Sequence, residues 1–477
     1  MEKKHNGLNA THLTMMALGT VIGGSFFLGS SVAIHAAGPS ILISYILGGI
    51  LVYFILFAFS EMTVANPDSG SFRTFAANTF GPGTGFVVGW VYWTGMVLAM
   101  SSEATAVSIL VREWYPNISI PVLGSLIIIG VTFLNLLGAD KLSKLESGLA
   151  SIKLLAIVSF IVIGLLLISG LLGGEAIGTG ELTNEPFMPG GIRGIAGSML
   201  IVIFSYAGFE IIGLAASEAK DPKKTIPKAI TSTVICLVGF YIVSVAVLLP
   251  LIPTASLSED VSPMVAALNL RGMGWAGTVI NIVLITAILS TMLAAMFGLG
   301  RMMRSLADEG HAPTYLQDKS DVPYKGILFS GASMLLGLSI GLLLPSVYMF
   351  LISSGGFALL FTYAVIMATH IRFRKKNGCP PEGKCQMPGF PFTSWIALIC
   401  LITIILSMPF ISGQSTGLIT GIIMIIFYSS IYLAMKFVNN SQKNYESNKI
   451  NINHKILPAE YSDELTDINI KKHDYRD

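Results

Sequence analysis

The chain has 477 residues, 53% of them hydrophobic and 12% charged, with a mean hydropathy of +0.72. Soluble proteins carry about 25% charged residues, so a water-covered globule of this size is excluded and the missing polar surface must be replaced by lipid. A net charge of +2 gives no basic bias toward a nucleic-acid partner.

Read in chain order, a polar start, MEKKHNGLNATH (residues 1–12), precedes the first apolar stretch and shows no small-residue cleavage site. About 20 mostly apolar residues cross a bilayer as a helix. On that basis the pattern predicts twelve spans, at 13–34, 39–62, 84–110, 120–139, 147–171, 191–216, 229–251, 275–304, 325–344, 347–371, 393–411 and 413–437. The polar stretch 438–477 lacks apolar periodicity and is expected to be a mobile tail.

The first span is interrupted at Gly19-Thr20-Val21-Ile22-Gly23-Gly24-Ser25, too rich in glycine for a comfortable helix. The sixth carries Ser205, Gly208 and Glu210 at its middle. Spans one and six occupy matching places if spans one to five and six to ten are repeats (about 13–171 and 191–371), with two extra helices at about 393–437. Paired interruptions of this kind point to an inverted-repeat transporter with its binding site between them. Unwinding exposes N–H groups that can hold a carboxylate and C=O groups that can hold an ammonium. A zwitterionic amino acid has both. Glycine also serves close helix packing, which is the alternative reading of Gly19, Gly23 and Gly24.

Among the ionisable residues at membrane depth, three need weighing: Glu103, Lys153 and Glu210. Such groups are costly at membrane depth and are functional candidates. A desolvated lysine can exchange a proton; alternatively Lys153, about seven residues into its span, snorkels to an interface. Glu103 is either a coupling carboxylate or one satisfied by Ser101, Ser102 or a neighbouring helix, and Glu210 either serves function or supports the helix break. No phosphate loop, HExxH or GxSxG element occurs, which argues against an ATPase or hydrolase. The four cysteines, Cys236, Cys379, Cys385 and Cys400, form no framework and are expected to be free thiols. No cofactor is expected.

Positive charge sets orientation. With the N-terminus inside, the cytoplasmic segments before the tail carry 18 Lys and Arg, and the outer segments three, Arg112, Arg193 and Arg271. That asymmetry predicts both termini in the cytoplasm.

Several stretches resemble one family. They are GTVIGGSFFLGSS (19–31), SEMTVANPDSGSFRTFAANTFGPGTGFVVGWVYW (60–93), FSYAGFEIIGLAASEAKDPKKTIPKAI (204–230), NIVLITAILSTMLAAMFGLGRMMRSLADEGHAP (281–313) and ATHIRFRK (368–375). Together they resemble the amino acid–polyamine–organocation (APC) superfamily, and within it the amino acid transporter family. The resemblance implies an all-α polytopic membrane protein of the LeuT type, a five-plus-five inverted repeat with broken first and sixth helices. It also implies amino acid import across a cell membrane, usually by proton symport. An exchanger shares nearly every motif, and a membrane amino acid sensor would need a cytoplasmic domain that the tail does not show. By motif, Ile22, Gly23, Gly24 and Ser25 would hold the substrate carboxylate. Phe204, Ser205, Tyr206 and Gly208 would border its amine and side chain. Lys153 and Glu103 match residues of proton-coupled relatives, with the proton as coupling ion. Two departures stand out. The first-helix hydroxyl, Ser25, lies one residue later than is usual, and helix eight has Leu293-Ala294 where relatives often carry Asn-Ser.

Overall fold

The computed structural model describes residues 9–65, 72–172, 174–210, 212, 221–320, 322–344, 346–378 and 387–455. Among these residues the secondary structure is helical, with no strand. The chain divides into two units, Met1–Ile426 and Phe427–Asp477.

The first unit opens on three helical pieces, α1 (Ala10–Val21), α2 (Gly24–Phe27) and α3 (Gly29–Ala37). The Asn9 side chain caps α1 by accepting from His12 N at 2.8 Å. A turn at Gly38 (φ 60°) leads into α4 (Ile41–Ala65). Then come α5 (Phe72–Phe80), α6 (Pro82–Arg112), α7 (Ile120–Asn135), α8 (Ala139–Ile168) and α9 (Gly191–Ser205). The later elements are α10 (Pro222–Leu248), α11 (Pro263–Leu270), α12 (Gly274–Asp308), α13 (Tyr324–Gly341), α14 (Val347–Asn377), α15 (Phe392–Ser407) and α16 (Ser415–Lys455).

Among the described residues, seven helical stretches are long and apolar enough to cross a membrane: 29–65, 82–112, 224–248, 274–308, 347–377, 392–410 and 415–438. Shorter apolar helices cover 120–135, 152–168 and 191–205. The chain is therefore a polytopic membrane protein. Its burial pattern agrees: Lys153 is fully buried while its neighbours Ile152 and Leu155 are 39% and 64% exposed. Placing the charge inside and the aliphatic side chains outside makes sense only when the solvent is hydrocarbon. Helices α6 and α14 approach closely at small residues; a Cβ on Gly355 would lie 3.1 Å from Gly95 O.

Several expected boundaries differ. The predicted span 13–34 is three helices, and within 191–216 helix α9 ends at Ser205 and a turn follows at 206–210. The predicted span 147–171 begins earlier, at Ala139. Helices α5 and α11 are too short to have stood out by hydropathy.

In the second unit the described backbone is helix. The polar stretch from 438, expected to be mobile, continues α16 to Lys455. No Gly or Pro occurs between Gly421 and Pro458 to end it. Residues 456–477 lie outside the described residues, as do Cys379 and Cys385 and the motif stretches 66–71 and 213–220. Cys236 and Cys400 are free thiols.

Candidate functional site

The first break lies between α1 and α2. Ile22 takes an extended conformation (φ −74°, ψ 105°), as does Gly23 (φ −144°, ψ −162°), so helical pairing stops and resumes at Gly24. This leaves carbonyls at the end of α1 and N–H groups at the start of α2 without helical partners. Side chains from three other helices supply them. From α6, the Glu103 carboxylate accepts from Gly24 N at 2.7 Å. From α8, Lys153 Nζ donates to Gly19 O at 2.7 Å and to Thr291 Oγ1 at 2.8 Å. From α12, Thr291 Oγ1 lies 3.1 Å from Ile22 O. A carboxylate thus sits at the positive end of one helix and an ammonium at the negative end of another, as the helix dipoles favour. Gly24 admits this approach because a Cβ there would stand 2.5 Å from Glu103 Oε2.

The second break follows α9. Its turn contains Gly208 at φ 103°, a conformation that favours glycine. The turn is held from within: Gly208 N donates to Glu210 Oε2 at 2.8 Å. The other Glu210 oxygen accepts from the Tyr363 hydroxyl of α14. All of these side chains are buried.

The two breaks touch. Thr20 Oγ1 lies 3.1 Å from Gly208 O, and a Cβ on Gly208 would lie 2.9 Å from Thr20 O. Ser205 Oγ donates to Ser25 O at 3.1 Å and also lies 2.9 Å from Ile201 O. Ile22, Gly23, Gly24, Ser25, Glu103 and Lys153 therefore form one cluster, and Ser205, Gly208 and Glu210 adjoin it. Phe204 is buried at the end of α9. The Tyr206 hydroxyl donates to Tyr45 O on α4 at 3.0 Å. Lys153 does not reach toward an interface; its ammonium is bonded inside the protein.

Two members of this constellation escaped sequence reading. Thr291 had a signal, a Ser290-Thr291 pair of hydroxyls inside an apolar span, one turn from the Leu293-Ala294 departure. Tyr363 had none that separated it from other aromatic residues in membrane helices.

Comparisons with known proteins point one way. The family described as Amino acid permease matches residues 12–448. An uncharacterised amino acid permease of Bacillus subtilis, YtnA, is 34% identical over 448 residues, covering 91% of this chain and 96% of the relative. The gamma-aminobutyric acid permease of the same organism is 33% identical over 432 residues, covering 88% and 92%. The L-asparagine permease of Salmonella typhimurium is 32% identical over 421 residues, covering 86% and 84%.

Proposed function

The chain belongs to the amino acid permease family, a family of transporters and not enzymes, and on that footing we propose that it imports an amino acid across the cell membrane by proton symport. Its architecture in this reading is twelve spans, a five-plus-five inverted repeat with two extra helices, and both termini in the cytoplasm. The charge asymmetry supports the orientation, and the paired helix breaks support the repeat.

The substrate's carboxylate would engage the backbone around Ile22, Gly23, Gly24 and Ser25. Its amine and side chain would lie against Phe204, Ser205, Tyr206 and Gly208. The observation that carries the coupling is the position of Lys153, whose ammonium bonds Gly19 O and Thr291 at the first break. Protonated, it holds the end of α1 in place; deprotonated, it lets that end go, so proton binding and helix position are linked. Glu103 supplies the complementary half. As a carboxylate it occupies Gly24 N, the group a substrate carboxylate would need. Once a proton from the outer medium is bound to Glu103, Gly24 N is released to the substrate. Substrate and proton then enter together.

The test is uptake into proteoliposomes of the twenty proteinogenic amino acids and 4-aminobutyrate, with and without an inward proton gradient. The last compound and asparagine are included because relatives are named for them. Symport requires that the gradient drive accumulation of at least one compound. Gradient-independent counterflow would instead establish an exchanger. Cysteine labelling at the Asp260 and Lys375 positions should report the outer and cytoplasmic faces respectively.

A further inference from the structure

We propose that Tyr241 is a positioning residue that holds the two helix breaks in register, an inference that rests on reading those breaks as the substrate site. Tyr241 lies on α10 and is fully buried. Its hydroxyl donates to Ser205 O at 2.9 Å. Ser205 is the last residue of α9, and its carbonyl loses its helical partner because the chain turns at 206–210. The same side chain stacks its ring on Phe26, with centroids 3.9 Å apart and planes 13° from parallel. Phe26 follows Ser25, whose carbonyl accepts from Ser205 Oγ at 3.1 Å.

These contacts close a circuit. Ser205 is tied to Ser25 by its hydroxyl and to Tyr241 by its carbonyl, and Tyr241 is tied back to Phe26 by its ring. One side chain from a third helix therefore grips the first break by its face and the second by its tip. Only tyrosine supplies both a stacking ring and a donor at that reach. Phenylalanine would keep the stack and remove that donor from the buried Ser205 O. Neighbouring rings fix the posture: Tyr206 and Tyr45 lie 5.2 Å and 5.7 Å from Tyr241, centroid to centroid. A substrate that bridges backbone groups of both breaks needs their spacing set before it arrives, and loosening that spacing costs affinity rather than turnover.

The experiment compares wild type with Tyr241→Phe and Phe26→Leu, full-length and in lipid nanodiscs, by two readouts. The first is amide hydrogen exchange without any substrate. Tyr241→Phe should accelerate exchange about tenfold or more in 20–27 and 205–210 while other helices keep their protection. The second is uptake of the fastest wild-type substrate from the twenty-one-compound panel, with KM rising about tenfold and Vmax within about twofold of wild type. Phe26→Leu, which keeps the hydroxyl, should shift both readouts in the same direction by less, and it carries the test if Tyr241→Phe does not fold. Unchanged exchange and KM overturn the proposal. So does acceleration spread evenly over all helices, which would make Tyr241 an ordinary core residue. If wild type transports no compound of the panel, the transport reading fails by itself and the exchange readout still decides the role of Tyr241.

Discussion

The two helix breaks pose the same physical problem and solve it with different parts. Each exposes backbone N–H and C=O groups in the buried interior, where they need partners. At the first break the partners come from elsewhere in the chain, Glu103 from α6 and Lys153 from α8, and both are acid–base groups. At the second the main partner is local, Glu210 bonding the N–H of Gly208 two residues back, with Tyr363 satisfying its other oxygen. A cap brought by a separate helix and held by charge can be let go when a proton is gained or lost. A cap folded into its own turn moves with that turn. On the proposed coupling, the first break changes partners and the second keeps its shape.

The comparison is broken most directly at Lys153. Lys153→Met keeps bulk and removes the donor to Gly19 O and Thr291. We expect gradient-driven accumulation to fall about a hundredfold, since leaving buried polar groups unpaired costs about 1–3 kcal/mol each and the proposed coupling group is gone. Lys153→Arg should also fail, because a guanidinium stays charged. Proteoliposome uptake at several external pH values decides it. Accumulation at the wild-type level by Lys153→Met would mean that the first break does not exchange protons there, and would leave coupling to Glu103.

Glu103→Gln should give the next largest effect, and a different kind. The amide oxygen still accepts from Gly24 N but cannot take up a proton. We expect KM to rise and its pH dependence between about pH 5 and 8 to flatten, because protonation no longer releases Gly24 N to the substrate. A pH profile identical to wild type would remove Glu103 from the coupling scheme.

Much of this was readable before the fold was known, and the limit is physical. Hydropathy reports which stretches face lipid, so the apolar segments stood out. Isolated ionisable groups in such stretches must be accommodated inside, so Glu103, Lys153 and Glu210 stood out too. Gly208 was legible because it falls beside Ser205 and Glu210 at the middle of a span that matches the interrupted first one. Partner identity was not legible. Nothing in the chain order says that Glu103 meets Gly24, 79 positions away, or that Thr291 bridges Lys153 and Ile22. Those pairs are set by which faces of α6, α8 and α12 turn toward the first break. The continuation of α16 to Lys455 was missed for a simpler reason: helices are ended by breakers, and polarity alone does not end them.

At the second break, Tyr363→Phe should act weakly. It removes one donor to Glu210 and leaves the bond from Gly208 N in place. Hydrogen bonds to carboxylates contribute about 1.5–3 kcal/mol, and because the turn retains its own cap we expect that loss to appear mainly in thermal stability. KM should rise no more than about threefold. A loss of transport as deep as that of Lys153→Met would show that the second break is as changeable as the first, and the contrast between them would fail.

The smallest effect is expected away from both breaks, where ionic contacts sit at the C-terminal end of α12. Arg73 of α5 bonds both oxygens of Glu309 and lies 3.1 Å from Ser305 Oγ and 3.5 Å from His311 Nδ1. Burial pushes the Glu309 carboxyl up, but the hydrogen bonds and charge of Arg73, helped by His311 and Ser305, hold it below the usual carboxylate range. For His311, burial first and the Arg73 charge second push the imidazole below its ordinary value, against an opposing pull from Glu309. Both groups therefore bind fewer protons folded than unfolded, so the stability they contribute is present above their unfolded values and is lost as pH falls. For His311 that loss begins near about pH 6.5, and for Glu309 near about pH 4.3. Glu309→Gln removes the carboxylate share. Because the Glu309 side chain is 46% exposed, solvent screening limits the effect to about 1 kcal/mol or less. The variant should therefore melt slightly lower than wild type at neutral pH, with the gap closing as both are acidified below about pH 4. Its KM and its pH profile of uptake should match wild type, because no charge at either break has changed. A shift in that transport profile would show that the Arg73–Glu309 pair reports to the first break, and would extend the changeable region from Glu103 and Lys153 to the C-terminal end of α12.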